Sequence, residues 1–175
     1  VFTLAAAVEE GVFNPNATFT TGTYKIGSRV MGDHSGIKRG VAMTYLQAVQ
    51  RSSNVGFIKL GYELLGKEKL QQYLTKFGLA DKTGIDLPNE AGSNLLFNRD
   101  VEVATTSFGQ GSVVTPIQQI QAFTAIANDG EMMKPYVVSK ITDSSGEVLE
   151  KKEPTVADKP ISADTAKTVR EYLET

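Results

Sequence analysis

The sequence contains no cysteine and no tryptophan, and only one histidine, His34. Without cysteine there is no disulfide and no thiolate metal site. With one histidine a multi-histidine metal centre is impossible, and a serine–histidine triad would have to run through His34. No apolar run approaches the roughly 20 residues that a membrane span needs, and no signal peptide is visible. Neither charge sign dominates: 18 Lys and Arg stand against 20 Asp and Glu, a net charge of −2. That balance gives no reason to expect nucleic acid or a polybasic membrane contact. No metal or cofactor is called for. What is present is ordinary globular composition, 41% apolar and 22% charged over 175 residues, enough for a single domain with its own core. There is no internal repeat and no low-complexity tract.

Taken in order, residues 1–11 read as a helix already under way, with Val1, Leu4, Ala5 and Val8 on one face and Gly11 as its stop. No capping residue precedes it. Asn14-Pro15-Asn16 is a turn, and the Thr- and aromatic-rich run after it predicts short extended segments. Residues 31–40 are polar and Gly-rich, so a loop is expected, with His34 solvated in it. From 41 the pattern turns helical, with Ala42, Leu46, Ala48 and Val49 as the apolar stripe. One helix is expected over 44–51 and a second over 55–65, ended by Gly66. A third, over 67–77, carries Leu70, Tyr73, Leu74 and Phe77 at helical spacing. Residues 78–96 read as loop, and 101–106 as a short strand or strand entry. Gly109 and Gly111 permit either a tight turn or close approach to another group.

Thr115, Pro116 and Gln118 make a strong helix start: a cap, a proline at the first position, and the partner of a capping box. Its expected buried stripe is Ile117, Ile120, Phe123, Thr124 and Ala127, closed by Gly130. Residues 134–141 and 147–151 predict a hairpin about Asp143-Ser-Ser-Gly146. Residues 154–160 read as loop, and Ser162 caps a last helix over 162–175. Both chain ends are expected to be cut inside a larger fold.

The stretch with chemistry in it is Ser52-Ser53-Asn54, on a break between two helices. A hydroxyl there can relay a proton. A carboxamide two residues on can hold a substrate carbonyl with its NH2 and a substrate N–H with its oxygen. By residues alone, the same pattern also describes an ordinary helix cap.

Three blocks together carry a resemblance. They are Arg51-Ser-Ser-Asn-Val-Gly-Phe-Ile-Lys-Leu-Gly, then Phe77-Gly-Leu with Thr83-Gly-Ile-Asp-Leu-Pro, then Thr105-Thr-Ser-Phe-Gly-Gln-Gly-Ser-Val-Val-Thr-Pro-Ile-Gln. In this order they resemble the transpeptidase domain of penicillin-binding proteins, of the class B, monofunctional type, over essentially the whole chain. The resemblance implies an α/β (α+β) serine β-lactamase/DD-transpeptidase-like fold, here mainly its helical subdomain and incomplete. It implies one partial domain over 1–175.

In function it implies a peptidoglycan DD-transpeptidase that works through an acyl-serine intermediate and is acylated by β-lactams. The family uses Ser-x-x-Lys, Ser-x-Asn and Lys-Thr-Gly motifs. By resemblance Ser52 is the proton-relaying serine, and Asn54 is catalytic and substrate-binding. The implied partners are the D-Ala-D-Ala stem peptide, β-lactam antibiotics, and the missing parts of the same transpeptidase domain, as further chain or a second polypeptide. The implied place is the extracytoplasmic face of the bacterial plasma membrane, which the lack of cysteine fits, with the anchor outside this stretch. The other readings are a penicillin-binding sensor or scaffold of the same fold, or a helical interaction module in which Ser52 and Asn54 only cap. A β-lactamase fits less well, because no deacylating base is evident.

Ser35-Gly-Ile-Lys38 and Lys82-Thr-Gly84 also match the two other motifs by letter. Both are set aside. A nucleophile belongs at the start of a long buried helix, where the dipole and packing hold it, and Ser35 stands in a Gly-rich loop. Lys82-Thr-Gly84 reads as a turn and not as a central strand. The chain alone is therefore expected to lack the nucleophile and both lysines, and to be inactive and poorly stable, with apolar faces exposed on helices 1–11 and 115–130.

Overall fold

The computed structural model describes residues 1–174; Thr175, the last residue of the expected final helix, lies outside the described residues. Helices α1 (Phe2–Glu9), α4 (Lys67–Lys76), α6 (Pro116–Ala127) and α7 (Ala163–Leu173) enclose the larger core. Alanine is the best helix former and lets backbones approach closely. In α1, Leu4 and the run Ala5-Ala6-Ala7 are fully buried, and Leu4, Ala5 and Ala6 meet Leu70, Tyr73, Leu74 and Phe77 of the α4 side, Ala122 and Ala125 of α6, and Ala166 and Val169 of α7. The exposed face expected on α1 is absent, because three helices surround it.

Helices α2 (Tyr45–Gln50), α3 (Asn54–Ile58) and α5 (Asp100–Ser107) complete the helical part. Beyond α3 the chain continues through Lys59–Leu65 as π-helix, closed by Gly66 N–H to Gly61 O. Thr3 Oγ1 donates to Ser107 O at 2.8 Å, tying α1 to the end of α5. A Cβ on Gly61 would collide with the Ser107 side chain, so only glycine lets the π segment lie against α5.

Among the described residues the strands form four separate two-stranded antiparallel sheets. β1 (Thr18–Thr20) pairs with β4 (Ala42–Thr44), and β2 (Thr23–Ile26) with β3 (Arg29–Gly32). β5 (Met132–Met133) pairs with β8 (Val156–Asp158), and β6 (Lys140–Thr142) with β7 (Val148–Lys151). The expected hairpin about residues 143–146 is present, with Gly146 at φ 90°.

Five sequence expectations are corrected. Ala42 to Thr44 is strand, not helix; the helix starts at Tyr45, where Thr44 and Gln47 form a reciprocal cap that stops it extending backwards. Residues 101–106 are helix, not strand. Their Val and Thr content favours strand, but the Glu102 carboxylate takes the N–H groups of Asn98 and Arg99 and starts α5. Residues 154–160 contain β8 and not loop alone, and Met31 and Gly32 belong to β3. On α6 the buried positions are Gln118, Gln121, Ala122, Ala125 and Ile126, while Ile120 is 62% and Phe123 43% exposed. Gln118 turns the helix this way: its Oε1 accepts from Thr115 N–H and its Nε2 donates to Asp81 O, so a fully satisfied glutamine fills the inward position.

Candidate active site

Helix α2 ends in a Schellman motif. Ser53 N–H reaches back to Ala48 O at 2.9 Å, and Ser52 N–H to Val49 O at 3.2 Å. The residue after the C-cap must be left-handed in this motif, a place usually taken by glycine. Here it is Ser52, at φ +54°. A non-glycine residue in that conformation costs on the order of 1–2 kcal/mol. Ser53 then caps α3, its Oγ accepting from Gly56 N–H at 3.0 Å. One residue thus ends a helix and the next begins another. Ser52 is left exposed between them, Ser53 is fully buried and Asn54 half-buried.

The turn is held from outside by three consecutive residues, the last of β3 and the two that follow it. Asn54 Nδ2 donates to Gly32 O at 2.9 Å. The Asp33 carboxylate accepts from Ser53 Oγ at 2.7 Å and from Val55 N–H at 3.0 Å. His34 Nε2 donates to Arg51 O at 3.0 Å, and its Nδ1 accepts from Gly36 N–H at 3.1 Å. A carbonyl can only accept and an amide N–H can only donate, so these partners place the imidazole proton on Nε2. Beside the clamp, Tyr24 of β2 donates its hydroxyl to Glu63. Burial first, and then that carboxylate, push the Tyr24 phenol well above its ordinary range.

Ser52 lines a cavity of about 390 Å³ between α1, α5 and α6. The cavity wall is mixed, with Phe57, Leu79 and Phe108 beside Thr106, Ser107 and Ser112. Asn54 is not part of that wall. Its bond to Gly32 O fixes which way the amide faces and uses one of its two N–H groups; the second N–H and Oδ1 take no part in that bond. Both predicted site residues are neutral, one a hydroxyl and one a carboxamide, and the turn brings them together. They can pass a proton and grip a peptide group without adding charge.

The two look-alike motifs stand elsewhere. Ser35 is exposed in the turn after β3, and Lys82-Thr83-Gly84 is irregular chain. The Glu90 carboxylate takes the N–H groups of Thr83 and Gly84 and the Thr83 hydroxyl. Sequence reasoning missed the clamp, reading His34 as a solvated loop residue. A signal was available. Asp33 is the only carboxylate between Glu10 and Glu63, in a stretch with six lysines and arginines, and a lone acid there asks for a structural reason. Among the described residues no cluster of three or more His, Asp or Glu can hold a metal ion, and no helix is long and apolar enough to cross a membrane.

The family model of the penicillin-binding protein transpeptidase domain matches residues 1–175. The chain belongs to this family. It is 41% identical to the stage V sporulation protein D of Bacillus subtilis over 186 residues, covering 99% of this chain and 28% of that relative. It is 33% identical to a probable peptidoglycan D,D-transpeptidase FtsI of Caulobacter vibrioides, covering 80% of this chain and 23% of that protein. Among solved structures it is similar to penicillin-binding protein 2X of Streptococcus thermophilus, with a TM-score of 0.90 and 34% identity over 98% of this chain and 25% of the other. Penicillin-binding protein 3 of Mycobacterium tuberculosis complexed with ampicillin gives a TM-score of 0.87 at 28% identity, over 98% and 38%. The fold is that of the family, with helices and short sheets mixed as expected. The chain spans about a quarter of the length of these curated relatives.

Proposed function

We propose that this chain is one part of a peptidoglycan DD-transpeptidase domain, and that the whole protein cross-links stem peptides through an acyl-serine intermediate that β-lactams also form. The observation that carries the reading is Ser52. A serine occupies a left-handed position that glycine would fill without strain, and it faces a cavity. Such strain persists where a side chain is needed.

In this reading Ser52 relays the proton between a lysine of the whole protein and the reacting peptide nitrogen. Asn54 binds the amide of the D-Ala-D-Ala stem or of the β-lactam with its free N–H and Oδ1. The nucleophile and the two lysines come from chain outside these residues, so these 175 residues alone are inactive. The same outside chain, or a second polypeptide, covers the cavity and the exposed Ile120 and Phe123 of α6. The protein works at the extracytoplasmic face of the bacterial plasma membrane, where its substrate is.

The test is penicillin acylation of the full-length protein, followed by intact mass. Asn54→Ala should slow acylation about 100-fold or more, the usual loss when one polarising donor is removed, with the folded structure retained by circular dichroism. Ser52→Ala should do the same through the proton step. Unchanged acylation in both would overturn the role assignment.

A further inference from the structure

We propose that five exposed cations around the Ser52–Asn54 turn, Lys25, Arg29, Lys38, Arg39 and Arg51, form an electropositive approach surface that concentrates carboxylate-bearing substrate at the site. The inference rests on the reading of the site given above, whose ligands, a D-Ala-D-Ala terminus or a penicillin, each carry a free carboxylate.

Charge is uneven along the chain. Residues 11–62 hold six Lys and Arg and one acid, Asp33, a local charge of +5 in a chain of net charge −2. Asp33 is buried, with its oxygens on Gly22 N–H, the Ser53 hydroxyl and Val55 N–H. Of the six cations only Lys59 has an acidic partner, Glu63. The other five are exposed, and none enters the remaining ion pairs among the described residues. A cation that serves the fold has an acid beside it, as Lys152 has Asp86 and Lys69 has Glu10. Five like charges without one repel each other, and an anionic ligand is what offsets that repulsion.

The fold gathers them about the turn. Arg51 directly precedes Ser52, and its carbonyl accepts from His34 Nε2–H at 3.0 Å. That bond brings the loop carrying Lys38 and Arg39 against the turn. The loop is pinned at its far end, where Lys38 O accepts from the Thr21 hydroxyl at 2.7 Å and Gly40 N–H donates to Thr21 O at 3.0 Å. Arg39 lies over the base of the β2–β3 hairpin, its Nη2 4.0 Å from where a Cβ on Gly32 would stand. Gly32 O is the acceptor that holds the Asn54 amide. Lys25 stands further out on β2, opposite Val30, and Arg29 at the hairpin end, opposite Ile26. The charges thus run from the hairpin end to the residue before Ser52.

This surface acts through its field and not through a bond to the reacting groups. A field raises the local concentration of anions without changing the reacting step. It lowers the half-saturation concentration and leaves the rate at saturation alone.

The test applies three penicillins to the full-length protein. All share the ring carboxylate and differ in side-chain charge: carbenicillin has a second carboxylate, benzylpenicillin has none, and ampicillin has an ammonium that brings its net charge to zero. At about 10 mM salt, where the screening length is about 30 Å, Lys38→Gln/Arg51→Gln should lower the second-order acylation rate about 2- to 3-fold for benzylpenicillin and about 4- to 9-fold for carbenicillin, with ampicillin unchanged. At about 1 M salt, where that length is about 3 Å, the differences should vanish. Lys140→Glu removes the same two units of charge at an exposed site on β6, outside the clamp. It should change the benzylpenicillin rate by less than about 1.5-fold. Should Arg51→Gln alter the rate at saturation, Lys25→Gln/Lys38→Gln carries the test, with the same ranking of the three penicillins.

No loss, an equal loss for all three penicillins, a loss that survives high salt, or an equal loss with Lys140→Glu overturns the proposal and leaves the site reading intact. If Ser52→Ala and Asn54→Ala are both silent, the site reading falls and this inference falls with it.

Discussion

Two turns in this molecule are each organised by one aspartate, and they differ in reach. Asp143 holds the β6–β7 turn by accepting from Ser145 N–H, Ser145 Oγ and Glu147 N–H, all within four residues and all exposed. Asp33 holds the Ser52–Asn54 turn by accepting from Ser53 and Val55, twenty and twenty-two residues away, in the interior. The first is a local motif that forms wherever its few residues occur together. The second exists only after the β2–β3 hairpin has docked against α3. A local turn can tolerate change in its surroundings. A long-range one ties the site to the packing of the whole helical part.

The largest effect in this comparison should come from breaking that packing at Gly56. A Cβ there would meet Ala48 Cβ at 2.6 Å and Phe19 Cζ at 2.9 Å. Gly56 also donates to the Ser53 cap, so α2 and α3 touch through it. Gly56→Ala should destabilise the full-length protein by about 2–3 kcal/mol, read as a lower urea midpoint with unchanged slope. The temperature dependence of acylation should shift with it. A neutral outcome would mean that the two helices separate freely, and that the turn does not depend on close packing.

How much of this was legible follows the same division. The hairpin about Asp143-Ser-Ser-Gly146, the Thr115-Pro116 helix start and the Ser162 cap were readable, because each is a short-range pattern with its own chemistry. The Ser-Ser-Asn break was readable as a break. That Ser52 is the left-handed residue of it was not, since a serine there gives no sign of the Schellman bonds around it. Of the clamp only the lone acid Asp33 stood out in the sequence; its partners did not, for the reason that makes the clamp strong: Gly22, Gly32, Asp33 and Ser53 meet only in the folded chain. Periodicity also misled where polar residues are buried. Gln118 and Gln121 face inward on α6 with Ile120 and Phe123 outward, which no rule based on hydrophobicity predicts. At 101–106, β-branched residues suggested a strand, and a buried carboxylate cap overrode them.

A smaller effect, and one of pH, is expected where a third aspartate links the hairpin to the body. Asp86 takes the Lys152 ammonium at 2.8 Å and the N–H groups of Val137 and Val138. The Lys152 contact first, and then those amides, lower its carboxyl from 3.8 to about 2. A lowered carboxyl contributes stability that is present above its ordinary value near 4 and lost as pH falls through 2. The Val137 and Val138 amide resonances should therefore titrate with a midpoint near 2, and Asp86→Asn should remove that step. A midpoint near 4 would show the carboxylate to be free, and the hairpin to be held by its own turn alone.

The smallest effect should come from the hairpin tip region itself. Leu149 on β7 is 66% exposed, and neighbouring Val148 is 50% exposed. Every residue of β6 and β7 is exposed, so no core depends on the Leu149 side chain. Leu149→Thr keeps a residue that suits a strand and removes only apolar surface already in water. The unfolding free energy should change by less than about 0.5 kcal/mol, and acylation should not change at all. A larger loss in the full-length protein would mean that another part of that protein covers this face. The hairpin would then belong with the Asp33 turn, as an element whose shape is settled by partners distant in sequence.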